Sequence, residues 1–173
     1  MIKFSWLFIV PSLVILSGCA GAAGRASVII KVDADVLFSS GNCAGAGQAV
    51  DAVWITDEKE FVSILNSVNG LKIGGQAASV PAVDFGKEGV LMIRMGRKPT
   101  PGYGIELASK QIDIQNQTAT VKVHWIEPAK GAILAQMITS PCVMIRMSKG
   151  GYAAIRVVDQ TGVVRTETRI QHH

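Results

Sequence analysis

The chain has 173 residues, 49% of them hydrophobic and 17% charged, and a formal charge of +4. That length suits one domain with a sizeable core. The charge is small and evenly spread, with no basic block longer than Arg97-Lys98, which argues against a nucleic-acid partner.

An apolar run over residues 4–16 follows Lys3 and closes on Leu16-Ser17-Gly18-Cys19. It contains Ser5, Pro11 and Ser12 and falls short of the roughly 20 residues a spanning helix needs. An ordinary secretory signal would share the charged start and the small residues before the cut, but it would not need a cysteine there. The four closing residues resemble the lipobox of bacterial lipoproteins. That resemblance implies cleavage before Cys19, diacylglycerol and an N-acyl chain such as palmitate on Cys19, and anchorage to a membrane. Stable anchoring takes about two chains, each buried methylene contributing on the order of 0.8 kcal/mol. Ala20, rather than aspartate, after the cysteine implies an outer-membrane lipoprotein in the cell envelope, facing the periplasm. The expected organisation is a signal peptide over 1–18, a flexible Gly/Ala-rich tether over 19–27 and a single mainly-β domain over 28–173.

Short runs of strand formers cover residues 28–32, 36–40 and 50–55, the last two separated by the loop Gly41-Asn42-Cys43-Ala44-Gly45-Ala46-Gly47. Residues 56–68 form the one amphipathic helix. Asp57 caps it with Glu60 three residues later, and Phe61, Ile64, Leu65 and Val68 share one face. Asn69-Gly70 ends it, and the chain reads as loop to about residue 83, with Gly74-Gly75 and Pro81 as breakers. Strands follow over 90–95, 103–108, 110–114 and 118–127, with a hairpin turn at Gln115-Asn116-Gln117. In the longest, Val121, Val123 and Trp125 should face a core and Thr120, Lys122 and His124 solvent. Residues 142–147 and 152–158 are expected to form a further hairpin around Ser148-Lys149-Gly150-Gly151, and 163–170 a last strand or a fraying tail before His172-His173. The pattern predicts a mainly-β fold, an antiparallel sandwich or barrel with one helix, α+β overall.

Signals for catalysis or metal binding are weak. His124 has no nucleophile or orienting carboxylate signalled near it, and Asp57, Glu58 and Glu60 are explained by the helix start. No glycine-rich stretch has a phosphate-binding pattern. Once Cys19 is lipidated, Cys43 and Cys142 are the remaining thiols. They form either a disulfide across about 100 residues or two buried free thiols; two cysteines without a nearby histidine do not make a zinc set. We therefore expect no enzyme activity, no metal and no cofactor beyond the covalent lipid, and no small-molecule substrate. Arg94, Arg146 and Arg156 fall mid-strand, either as a shared basic patch or as the solvent side of the sheet.

The segment Arg97-Lys98-Pro99-Thr100-Pro101-Gly102-Tyr103-Gly104 stands apart. Two prolines fix φ, Gly102 permits a sharp turn, and arginine and tyrosine are common at interface hot spots. A loop stiff before binding loses less entropy on binding, which makes it the candidate partner-binding loop. Tyr103 either meets the partner or packs inward.

The run into Gly96, the Pro99-Thr100-x-Gly102-Tyr103 core and the later Ile138-Thr139-Ser140-Pro141 segment resemble the C-terminal domain of the PrcB family. The resemblance covers roughly 88–147, with 50–68 similar in kind, and places a PrcB-like region at about 50–160. It implies a non-catalytic lipoprotein subunit that binds and supports a protease complex. A more distant likeness joins Pro99, Thr100, Gly102 and Tyr103 to the Asn-Pro-Thr-Thr-Gly-Tyr loop of chagasin-type cysteine-protease inhibitors. Here Lys98 and Pro101 depart from that loop. Three readings follow: a protease-complex partner, a chagasin-like inhibitor, or a structural envelope lipoprotein with no protease partner.

Overall fold

The computed structural model describes residues 28–43, 45, 47–69 and 81–170. The lipidation site Cys19, the leader and tether expected over 1–27, Gly70, Gly74-Gly75 and His172-His173 lie outside the described residues. Nine strands and one helix follow in the order β1 (Ile30–Ser40), β2 (Asp51–Ile55), α1 (Glu58–Asn69), β3 (Glu88–Arg94), β4 (Gly104–Leu107), β5 (Gln111–Gln115), β6 (Thr118–Ile126), β7 (Cys142–Ser148), β8 (Ala154–Val158) and β9 (Val164–Arg169). They form one sheet in the order β2-β3-β7-β1-β5-β6-β8-β9, with β4 also paired to β6. The sheet curls until β9 lies beside β2, giving a nearly closed barrel.

The apolar pattern of each strand tells which faces it buries. β6 alternates: Ala119, Val121, Val123 and Trp125 are buried, while Lys122 and His124 face water. The run Val90-Leu91-Met92-Ile93 in β3 does not alternate, because both of its faces are covered. Leu91 and Ile93 point into the barrel with Val143, Ile145 and Met147 of β7. Val90, Met92 and Met144 point outward, under α1, against Ile55, Phe61, Leu65 and Val68. The Asp57 carboxylate accepts the Glu60 N–H at 2.8 Å, which satisfies an otherwise unpaired donor of the first turn.

Two features differ from the sequence expectation. Residues 28–32 and 36–40 belong largely to the single strand β1, which pairs with β5 through Ile30–Asp33 and with β7 through Ala34–Ser40. Asp33 and Asp35 look like a break in the sequence, yet they sit on the outer face while Ala34 enters the core; Arg146 and Lys110 hold Asp35. The expected hairpin of 142–147 with 152–158 does not form. Instead β7 pairs with β1 and β3, and β8 runs parallel to β6 and antiparallel to β9. Residues 149–153 therefore carry the chain across the end of the barrel, where Tyr152 is buried and donates to the Ser148 carbonyl at 2.8 Å. Burial pushes its phenol well above the ordinary value, so it stays a neutral donor. Of the two readings of residues 163–170, the structure has the last strand, over Val164–Arg169.

The hairpin at 115–118 forms as expected, and Asn116 and Gln117 both take positive φ, 49° and 60°, as a two-residue turn matched to the strand twist requires. Beyond Lys122 the strand β6 loses its β8 partner. The Gln160 side chain takes over the ladder there, accepting the Trp125 N–H at 2.8 Å and donating to its carbonyl at 3.2 Å.

Asp159 holds the turn between β8 and β9. It is buried, and its carboxylate accepts from the Thr161 hydroxyl at 2.7 Å, the Thr161 and Val163 N–H groups at 2.8 and 3.0 Å, and Arg165 Nε at 2.8 Å. The Arg165 guanidinium in turn lies 5.0 Å above the Trp125 ring. The Thr161 hydroxyl, followed by the backbone donors and Arg165, outweighs burial and holds the carboxyl down from 3.8 to about 2. Because the folded value lies below the unfolded one, the stabilisation is complete above pH 3.8 and fades as pH falls toward about 2. Asp159→Asn should lower the melting temperature at neutral pH by about 5 °C and flatten its fall over that acid window. Thermal melts of both proteins from neutral pH to pH 2 check this; parallel curves would reject it.

Candidate functional site

The barrel has two unlike ends. Val28, the 115–118 turn, residues 149–153 and Ile170 gather at one, as the registers Ile30↔Ile114, Gln115↔Thr118, Thr118↔Ala154 and Ala154↔Arg169 require. A shallow cavity of about 360 Å³ opens there, lined by Gln117, Gly150, Gly151, Tyr152 and Ala153, with no charged side chain in it. The other end collects the loops leaving β1, β3 and β6, because Ser40↔Cys142, Arg94↔Cys142 and Gly104↔Ile126 all lie at it. The candidate loop, residues 97–104, is at this second end.

That loop is tied down at its base. Gly96 turns the chain out of β3 with φ 71°, and the Arg97 N–H donates to the Gly47 carbonyl at 3.1 Å. Lys98 and Thr139 exchange both backbone hydrogen bonds, at 2.8 and 2.9 Å, and the Thr139 hydroxyl donates to the Thr100 carbonyl at 2.9 Å. Gly102 has φ 93° and passes so near the following loop that a Cβ there would stand 3.2 Å from Pro128 Cγ. Arg97, Pro99 and Gly102 are exposed, whereas Lys98, Thr100, Pro101 and Gly104 are half-buried. Tyr103 settles its two readings toward the interior: its ring packs on the barrel core and Lys98 Nζ sits 5.4 Å from its centroid. The exposed part of the loop is its tip, at Arg97, Pro99 and Gly102, and not Tyr103.

The Lys98–Thr139 pair leads to a segment that the sequence reading included in the PrcB resemblance but did not name as a contact surface. Residues 128–138 connect β6 to the base of β7 over the same end of the barrel. Ile133 is fully exposed, Met137 is 56% exposed and Ile138 65%. Leu134 reaches back toward Gly102. The two loops thus adjoin through Lys98–Thr139 and through Gly102 beside Pro128 and Leu134, and they carry Arg97, Lys98 and Lys130. None of those three cations has an ion-pair partner among the described residues. The only advance signal was an apolar stretch, Ala132-Ile133-Leu134-Ala135, with neither strand nor helix period.

Cys43 and Cys142 lie under this surface, joined as a disulfide with Cα atoms 6.1 Å apart. The Cys43 N–H donates to the Ser140 carbonyl at 2.8 Å, and the Met95 N–H to the Pro141 carbonyl at 2.9 Å. Residues 139–142 are therefore clamped from both sides while the apolar segment before them projects.

The mid-strand arginines form no shared basic patch. Arg94 makes a two-point ion pair with Asp51, its cross-strand neighbour, and this hydrogen bonding raises the guanidinium pKa further. Arg146 pairs with Asp35 and Glu88, and Arg156 with Glu167. His124 is exposed on β6 opposite Glu106 in register. Among the described residues, no three His, Cys, Asp or Glu side chains come together as a metal ion would need, and no helix is long and apolar enough to cross a membrane.

Residues 90–148 match the family described as PrcB C-terminal, so the chain carries a PrcB-like C-terminal domain. The matched stretch begins in β3 and ends at the last residue of β7, enclosing both exposed loops and the strands that hold them. No curated protein and no solved structure matches the chain.

Proposed function

We propose that the protein is a lipid-anchored, non-catalytic envelope component that binds a protein partner and supports a protease complex. A PrcB-like domain points to association with a protease complex, and the observation that carries the reading is where that domain falls. The matched residues are those that build and brace the surface made by residues 97–104 and 128–138. A contact surface standing on a clamped base suits a protein that holds another in place. It uses no cofactor, and its own membrane attachment comes from lipid on Cys19, in an outer membrane with the domain in the periplasm.

Recovery of the full chain from detergent-solubilised envelope should bring a protease with it. Arg97→Glu should reduce that recovery about tenfold with an unchanged melting temperature, since the side chain is exposed and touches no described acid. Tyr103→Ala is the poorer test, because its ring belongs to the core and the variant would lose stability as well. Recovery of wall or assembly factors, with no protease in any preparation, would refute the proposal. Loss of activity of a papain-like protease on titration with the purified chain would point instead to an inhibitor.

A further inference from the structure

Residues 132–138 cross the exposed end of the barrel with their backbone almost wholly unpaired. Within 133–138 a single backbone hydrogen bond occurs, from the Met137 N–H to the Ala135 carbonyl at 3.0 Å. The N–H groups of Ile133, Leu134, Ala135, Gln136 and Ile138 donate to nothing else in the described protein. A stretch of free donors and acceptors beside exposed aliphatic side chains is what an added strand requires: the main chain supplies affinity and the side chains select.

The surroundings narrow the occupant. Arg97, Lys98 and Lys130 belong to the two loops at this end, and none has an ion-pair partner among the described residues. The bound chain should therefore carry aspartate or glutamate beside its apolar residues. Position argues for a protein rather than the anchoring membrane. β1 begins at the end where Val28 emerges and runs to the end carrying the loops, a span of about 33 Å for its 11 residues. With lipid on Cys19, the chain from the bilayer would enter the barrel at the end opposite the loops.

We propose that residues 132–138 are a docking edge onto which a protein partner adds an extended, acidic and apolar segment, with Ile133, Met137 and Ile138 as anchors and Arg97, Lys98 and Lys130 as its charged rim. The assignment of membrane-distal position rests on the lipid-anchor reading above; the edge itself does not.

The test uses the full chain in detergent and two labelled synthetic peptides, one alternating aspartate with leucine and the other lysine with leucine, read by fluorescence anisotropy. The acidic peptide should bind at least about tenfold more tightly than the basic one. Ile133→Asp should weaken it about tenfold, and Ala135→Pro, which removes a donor without removing apolar surface, should do likewise, both with unchanged melting temperatures. Equal binding of the two peptides, or no effect of either variant, would overturn the proposal. So would binding to anionic vesicles that Ile133→Asp abolishes in the absence of peptide binding, or self-association that the same variant abolishes. Pull-down separates this from the broader reading. A protease recovered equally by Ile133→Asp removes the docking edge and leaves the protease-complex role standing. Peptide binding as expected, with no protease recovered, does the reverse.

Discussion

Replacing Cys43 and Cys142 together by alanine should lower the melting temperature by about 10–15 °C. The bridge spans a sequence separation of 99, and closing a loop of that size removes about 4–5 kcal/mol of freedom from the unfolded chain in the entropy model. Domains of this size are stable by about 5–15 kcal/mol in total, so the effect is a large fraction of the whole. Both half-cystines are buried among Ile55, Phe61, Met92 and Met144, so alanine leaves no polar group without a partner, and the loss is chiefly that of the cross-link. Reduction of the unaltered protein should therefore give the same melting temperature as the double variant. A melt that ignores reductant would show that the bridge carries no weight. The consequence reaches the surface above, because Cys142 ends the clamped stretch 139–142 from which the apolar segment projects.

Much of the fold could be read from local pattern. The capped helix, the alternation of β6 and the turn at Asn116-Gln117 each follow from residues within a few positions of one another. What could not be read were choices settled between distant segments. Residues 33–35 look like a break until Arg146, 111 residues away, is seen to hold Asp35. Gly150-Gly151 looks like a hairpin turn, yet strand 142–148 pairs with β1 and β3, and strand 154–158 with β6 and β9. The candidate site divides in the same way. The stiffness of residues 97–104 was legible from Pro99 and Pro101. The role of Tyr103 was not, because its inward packing depends on the barrel beneath it. Nothing in the sequence marked Ile133 and Ile138 as exposed, and only the fold shows them so.

Gly96→Ala should destabilise the protein by about 3 kcal/mol or more, and a matched substitution shows why. Gly96 and Gly131 both hold positive φ, 71° and 83°, where a Cβ costs roughly 1–2 kcal/mol from backbone strain alone. Gly131 has nothing within 4 Å of the position a Cβ would take, so Gly131→Ala should show only that cost. At Gly96 the same atom would collide with the Gln48 carbonyl and stand 2.8 Å from the Ala49 carbonyl oxygen. Backbone oxygens cannot rotate aside as a side chain does, so residues 47–49 or the start of the 97–104 loop must move. The Arg97–Gly47 hydrogen bond would be the first lost, and Arg97 would leave its place on the rim. Denaturant melts of the two alanine variants measure the difference. Equal losses would mean that residues 47–49 yield freely, and that the base of the 97–104 loop is not a rigid platform.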